Sequence, residues 1–264
     1  MIGQAMRCHV LVEADGEPGW RNMALDRALL DLATEDGGAY LRLYRWQPHC
    51  LSFGRNEPAT RRYDRDRIQR LGLSVVRRPT GGRAVWHARE LTYAVAAPTA
   101  KFGTLKEAYQ EIHGVLAEAL ARLGAAASLA PSPRGSAGLD AGPCFAHPAG
   151  GEVMLTGGKV VGSAQLRHGE AFLQHGSMLL EDSQETVREL LLGADRAPST
   201  RDTPLSAELG RRVSFDEVAE AIHSALAGWR GPWTAADGAR TRRLRASAER
   251  YAGQFRDEAW TWSR

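Results

Sequence analysis

Three short segments carry the residue types from which an anion-binding or nucleophilic site is built. The first is Arg77-Arg78-Pro79-Thr80-Gly81-Gly82-Arg83-Ala84-Val85-Trp86-His87. Its glycines let the backbone approach a ligand and present N–H groups, and its arginines suit phosphate or carboxylate groups. It is neither a P-loop nor a dinucleotide fingerprint, because the Lys-Ser/Thr pair and a third glycine are missing. Taken alone, it reads equally as a tight turn with solvated arginines. The second segment is Lys159-Val160-Val161-Gly162-Ser163-Ala164-Gln165. Spacing alone favours an exposed hairpin lysine over a lysine aimed into a pocket floored by Gly162, Ser163 and Ala164. The third is Pro143-Cys144-Phe145. A lone cysteine is commonly a small buried hydrophobe, but Cys144 ends a Gly/Pro-rich loop fifteen positions before Lys159. A thiol ionises at neutral pH beside a cation, and Lys159 supplies one if the hairpin folds back on the loop. His87 and His175 read as proton carriers or as imidazoles fixed to backbone carbonyls. His87 is placed as pocket lining, His175 as shaping the pocket, and Cys8 and Cys50 as structural.

Periodic patterns supply the frame for these segments. Met23, Leu25, Ala28, Leu29 and Leu32 predict a helix from Asn22 to about Glu35, with Asn22 as N-cap. Alternation predicts strands over Ala39–Trp46, Ser74–Arg78, Glu90–Ala96 and Phe172–Leu180. A second helix is expected from about Thr104 to Leu123, ended by Gly124. Glu152–Thr156 and Lys159–Gly162 read as a hairpin turning at Gly157-Gly158. Ser214 and Glu217 form a capping box with Val213 and Val218 as a staple, and Arg240–Arg250 predicts a last amphipathic helix. Ala125–Pro143 reads as a long surface loop. Strands close in sequence with interspersed helices predict an α+β fold with a mostly antiparallel or mixed sheet.

The chain of 264 residues carries 34 Lys+Arg against 31 Asp+Glu, a net charge of +3, so no strong field points to a nucleic acid or membrane partner. With 43% hydrophobic residues it can bury an ordinary core. Its three cysteines form no CxxC pair, which argues against a disulfide framework or a structural metal site. No apolar run approaches membrane-span length, and the N-terminus lacks a signal-peptide layout. A cytoplasmic protein is expected, organised as one domain over residues 1–264 with a core of about 22–180 and a helical part of about 185–264.

The sequence resembles the lipoate/biotin protein ligase superfamily. The resemblance covers the opening helix Asn22-Met-Ala-Leu-Asp26, Trp46-Gln-Pro-His-Cys-Leu-Ser-Phe-Gly54, the RRPTGGRAVWH loop, Glu90-Leu-Thr-Tyr93 and KVVGSAQ. It implies an α+β catalytic domain whose glycine loop and lysine line a tunnel for an acyl chain. Cys144-Phe145 ahead of Lys159 is similar to the LipM-type octanoyltransferases. That implies Cys144 as acyl-accepting nucleophile and Lys159 as the residue that activates it. Arg78, Thr80, Gly81, Gly82, Arg83, His87, Gly162, Ser163 and Ala164 would bind the acyl substrate. The donor would be an octanoyl-phosphopantetheine on acyl carrier protein. The acceptor would be a lipoyl domain, such as glycine cleavage H protein or an E2 lipoyl domain, with no further cofactor and no metal. The alternatives are an ATP- and Mg-dependent lipoate (or biotin) protein ligase, in which Arg77, Arg78 and Arg83 face an adenylate, and a LipL-type amidotransferase. A third is an inactive protein that only docks acylated carriers.

Overall fold

The computed structural model describes residues 6–131, 150–193 and 202–264. The chain opens with β1 (Cys8–Glu17), α1 (Gly19–Asp36), β2 (Ala39–Trp46) and β3 (Cys50–Phe53). Two short helices, α2 (Ala59–Arg62) and α3 (Arg65–Arg70), lead to β4 (Ser74–Arg77), β5 (Val85–His87) and β6 (Glu90–Pro98). Then come α4 (Thr99–Phe102), α5 (Leu105–Arg122), β7 (Ser128–Leu129), β8 (Val153–Leu155), β9 (Gly158–Lys159), β10 (Val161–His168) and β11 (Ala171–Leu179). The last elements are α6 (Glu185–Glu189), α7 (Leu205–Leu209), α8 (Phe215–Ala225), β12 (Trp233–Ala235), α9 (Gly238–Arg256) and α10 (Glu258–Thr261).

The main sheet has the order β10-β11-β6-β2-β1-β12. The β10, β11, β6 and β2 neighbours pair antiparallel, while β1 pairs parallel with β2 and β12. This is the mixed α+β sheet the patterning predicts. Both faces are covered, so its strands bury both sets of alternating side chains. On one face Leu41, Leu43, Tyr93, Val95 and Phe172 pack with Ile112 and Leu116 of α5 and Val218 and Ile222 of α8. On the other, Tyr40, Tyr44, Ala94 and Leu173 pack with Met23, Leu25 and Leu29 of α1 and Leu244 of α9. The arginines of α9 reach back over that second layer, Arg243 to Glu35, Arg250 to Asp31 and Arg245 to Glu13 and Glu17. Capping boxes at Thr104 and Ser214 start α5 and α8, each such cap being worth about 1 kcal/mol.

Two smaller sheets carry the chemistry-bearing loops. In β4-β3-β5, the first pair is parallel and the second antiparallel, and the glycine loop spans β4 to β5. In β7-β8-β9, Lys159 pairs with Met154 and Gly158 with Leu155. The hairpin therefore turns at Thr156-Gly157, one residue earlier than expected. Asn22 is not the N-cap. Helix α1 starts at Gly19, and Asn22 is buried inside it, donating to the carbonyls of Glu17 and Arg45 at 3.1 and 3.0 Å. A side chain that bridges two other segments cannot also cap its own helix. The C-terminal part is not wholly helical either, because β12 extends the main sheet.

Candidate active site

A pocket opens on the α1 side of the sheet. It is lined by Met23, Tyr44, Trp46, Arg78, Val85, His87, Thr92, Gly162, Ser163, Ala164, His175, Gly176 and Ser177. Helix α1, strands β2, β5, β6, β10 and β11 and the glycine loop thus converge. Gly54 and Gly82 permit the convergence. A Cβ at Gly54 would stand 1.8 Å from the Gly82 carbonyl oxygen, and Gly82 has a φ of +88°, a conformation that favours glycine.

Two histidines border the pocket, each gripped by a carboxylate and a hydroxyl. His87 Nδ1 lies 2.7 Å from Glu90 Oε1, and its Nε2 lies 2.6 Å from Ser52 Oγ. The Trp46 ring stacks on it at 3.9 Å, and Thr92 and Ser177 donate to Glu90. Burial holds the His87 imidazole below its ordinary proton affinity, with Glu90 pulling the other way and Arg78 adding to the depression. His175 Nδ1 lies 2.8 Å from Asp26 Oδ2, and its Nε2 lies 2.6 Å from Thr80 Oγ1. Asp26 also accepts from Tyr44 Oη at 2.7 Å and Arg42 at 3.0 Å, and that arginine is fully buried.

Lys159 is 1% exposed, and its Nζ donates to Glu152 Oε1 at 2.5 Å. The exposed-hairpin reading of Lys159 is therefore wrong. The small sheet folds against α5 and covers the lysine, and a buried ammonium requires a carboxylate or equivalent acceptors. Nearby, His113 Nδ1 donates to the Gly151 carbonyl at 2.7 Å, and its Nε2 lies 2.8 Å from Ser163 Oγ. Gln174 donates to Tyr93 Oη, which in turn lies 2.7 Å from Ser163 Oγ. This chain of side chains fixes Ser163 from behind the pocket wall.

Residues 18–227 match the family model of the lipoyl protein ligase A/B catalytic domain. The chain belongs to this family. The octanoyltransferase LipM of Carboxydothermus hydrogenoformans is 37% identical over 209 residues, covering 78% of this chain and 74% of that relative. The octanoyltransferase LipM of an Exiguobacterium species is 33% identical over 281 aligned positions, covering 97% and 98%. A crystal structure of lipoate-protein ligase A bound with ATP superposes with a TM-score of 0.77 at 20% identity, covering 97% of this chain and 99% of that one. The last likeness shows the fold.

In this lipoyl protein ligase A/B catalytic domain, Arg78, His87, Gly162, Ser163 and Ala164 of the expected substrate-binding set line the pocket. Thr80 meets the pocket through His175, and Gly81, Gly82 and Arg83 form the loop beside it. Cys144 lies outside the described residues. Arg77 and Arg78 also hold the loop itself. Arg78 donates to Ser52 O and Oγ and to the carbonyls of Gly81 and Arg83, holding the loop's shape from inside. Arg77 is buried and donates to the carbonyls of Gly54, Arg55, Glu57, Trp260 and Thr261, tying α10 to the base of the loop. A loop that turns this tightly exposes carbonyls, and buried carbonyls need donors; Arg77 supplies them from the core and does not line the pocket. His175 is also corrected, since side chains rather than a backbone carbonyl hold it. Asp26, Glu90, Glu152 and His113 received no role from sequence. Asp26 and His113 carried a signal, a polar residue among the apolar positions of a helix, whereas Glu90 and Glu152 carried none.

His113 gives a stability prediction. Burial, with Lys159 nearby, lowers its pKa from 6.5 to about 4. The unfolded chain therefore takes up a proton near 6.5 that the folded chain refuses until about 4. Stability from this group is complete above 6.5 and is lost as pH falls toward 4, by up to about 3 kcal/mol. Urea unfolding between pH 7 and 4.5 should show a shallower acid loss in His113→Gln. An identical pH slope in the two proteins would mean that His113 is protonated in the fold.

Proposed function

We propose that the chain is a protein N-octanoyltransferase of lipoate biosynthesis. It takes octanoyl from the phosphopantetheine of acyl carrier protein and passes it, through a thioester on Cys144, to a lysine of a lipoyl domain. Likeness to LipM octanoyltransferases over nearly the whole chain carries this reading. The order of Cys144, Lys159 and the pocket-forming Gly162-Ser163-Ala164 supports it.

The physical steps follow from the donor. A thioester is already activated, so exchange onto Cys144 is near thermoneutral, and amide formation drives the second step. Splitting the transfer in two spares the enzyme from docking two carrier proteins at once. In this reading Lys159 is the cation that favours the thiolate over the thiol and a donor for the oxyanion that forms on attack; donors of that kind are worth about 2.7–4 kcal/mol. Burying an eight-carbon chain yields about 5 kcal/mol at about 0.8 kcal/mol per methylene, enough for a narrow pocket to prefer one chain length. Among the described residues no helix is long and apolar enough to cross a membrane, and we place the reaction in the cytoplasm.

The expected result is transfer from octanoyl carrier protein to an H-protein acceptor with neither nucleotide nor magnesium present. Free lipoate with ATP and magnesium should give little or no product under the same conditions. Efficient modification from the free acid, with octanoyl carrier protein inert, would make this chain a ligase.

A further inference from the structure

The sheet register lays the pocket out as a row. Gly162 of β10 stands opposite Ser177 of β11, Ser177 opposite Thr92 of β6, and Thr92 opposite Tyr44 of β2. All four line the pocket, and cross-strand partners share one face of a sheet. A slot therefore runs across the strands, from the edge strand β10 to β2. Its two ends differ. At the β10 end Ser163 and Ala164 are half-buried, and Gly82 of the adjoining loop is exposed. At the β2 end Met23 and Tyr44 are fully buried and Trp46 is 2% exposed. The slot is open at β10 and closed at β2. The side chains along its row also grow toward the closed end, from none at Gly162 through Ser177 and Thr92 to the ring of Tyr44.

The polar groups of the slot make their hydrogen bonds inside the protein. Ser177 and Thr92 donate to Glu90, Tyr44 Oη donates to Asp26 at 2.7 Å, and Trp46 Nε1 donates to Thr92 Oγ1 at 2.8 Å. Polar groups satisfied in this way carry no penalty for burial beneath an alkyl chain. The dimensions suit such a chain. Neighbouring strands lie about 4.8 Å apart, so β10 to β2 is about 14 Å. With C–C bonds of about 1.5 Å in a zigzag, an extended eight-carbon chain is about 9 Å long. A carbonyl over Gly162 then puts the terminal methyl over Thr92, one strand short of Tyr44.

Three side chains close that end. Tyr44 is pinned by Asp26 and lies under the Arg42 guanidinium, 3.9 Å from the ring centre. Trp46 is pinned by Thr92 and stacked on His87. Met23 of α1 shares their buried layer and lines the slot with an unbranched thioether. Of the three, it alone can change size without stranding a hydrogen-bonding group. We propose that Met23 is the end wall that sets the length of acyl chain this slot accepts. This rests on the octanoyltransferase reading above for the identity of the chain, and on the described residues alone for the slot.

The test is a competition among hexanoyl, octanoyl, decanoyl and dodecanoyl carrier proteins, with the adducts on the enzyme resolved by intact mass. Calorimetry of octanoate and decanoate reads the slot without any transfer chemistry. Each buried methylene is worth about fourfold in affinity, and two are worth about 15-fold. Met23→Ala should raise the decanoyl-to-octanoyl ratio by about 15-fold in both measurements. Met23→Phe, which keeps the site filled, should move the preference the other way, toward hexanoyl. Leu29→Ala lies on the same helix, is buried in the same layer and does not line the slot. It should cost stability and leave the ratios where they are. Unchanged ratios in both Met23 variants, or an equal shift in Leu29→Ala, would overturn the end-wall role. A wild-type chain that forms no acyl adduct while Met23→Ala still shifts the carboxylate preference would overturn the transferase reading and support the end wall.

Discussion

Cys144→Ala should remove octanoyl transfer, by on the order of 10³-fold or more, and leave no octanoyl adduct on the intact protein. The structure strengthens the argument by eliminating the other thiols. Cys50 lies fully buried in β3, where burial and the Glu90 charge push its thiol up, and its Sγ faces the Leu51 carbonyl. Cys8 is buried at the start of β1, its thiol likewise pushed up, and donates to the Met6 carbonyl. Neither can supply a thiolate at neutral pH. Cys50→Ala should therefore keep the adduct and cost only about 1 kcal/mol of stability. The two variants compared by mass after incubation with octanoyl carrier protein decide the matter. Near-normal transfer by Cys144→Ala would show that the acyl group never rests on that sulfur.

The parts of this molecule that were legible in the sequence are those governed by local rules. The alternation of Ala39–Trp46 and the apolar face of α5 set their elements directly, because each buries a stripe of its own. The capping boxes were visible for the same reason. The short strands β3 and β5 were not, since three or four residues make no pattern until they pair. Asn22 shows how tertiary demand overrides a local signal: a good N-cap residue stands three positions inside the helix because Arg42, Glu17 and Arg45 all need its amide. The pocket follows the same division. Gly162, Ser163 and His87 stood in recognisable segments. The carboxylates behind them, Asp26 and Glu90, reach their histidines across 149 residues in one case and 3 in the other. Asp26 stands out as a polar residue among the apolar positions of α1, but only the folded chain distinguishes Glu90 from a surface acid.

Lys159→Met should cost both activity and stability, and the two losses should be separable. The substitution leaves Glu152, which is 4% exposed, without the ammonium now 2.5 Å from its carboxylate. Breaking a buried pair from one side costs about 3–5 kcal/mol, because the remaining charge is stranded in a medium of low dielectric. Glu152→Gln removes that charge while keeping a polar side chain of the same length. The double variant Lys159→Met/Glu152→Gln should therefore recover most of the lost stability in urea unfolding. It should not recover octanoyl-enzyme formation, which should stay down by about 100- to 1000-fold, because in the proposed mechanism the missing cation is the group that favours the Cys144 thiolate. Lys159→Arg should fail for another reason. A planar guanidinium needs more room than a 1% exposed site offers and places its charge differently. The pH dependence of thiol alkylation completes the case. In Lys159→Met the alkylation midpoint of Cys144 should rise toward that of a free thiol. If the midpoint stays in place, or if the double variant regains acyl-enzyme formation, Lys159 is a structural counterion to Glu152 and the thiol is activated elsewhere.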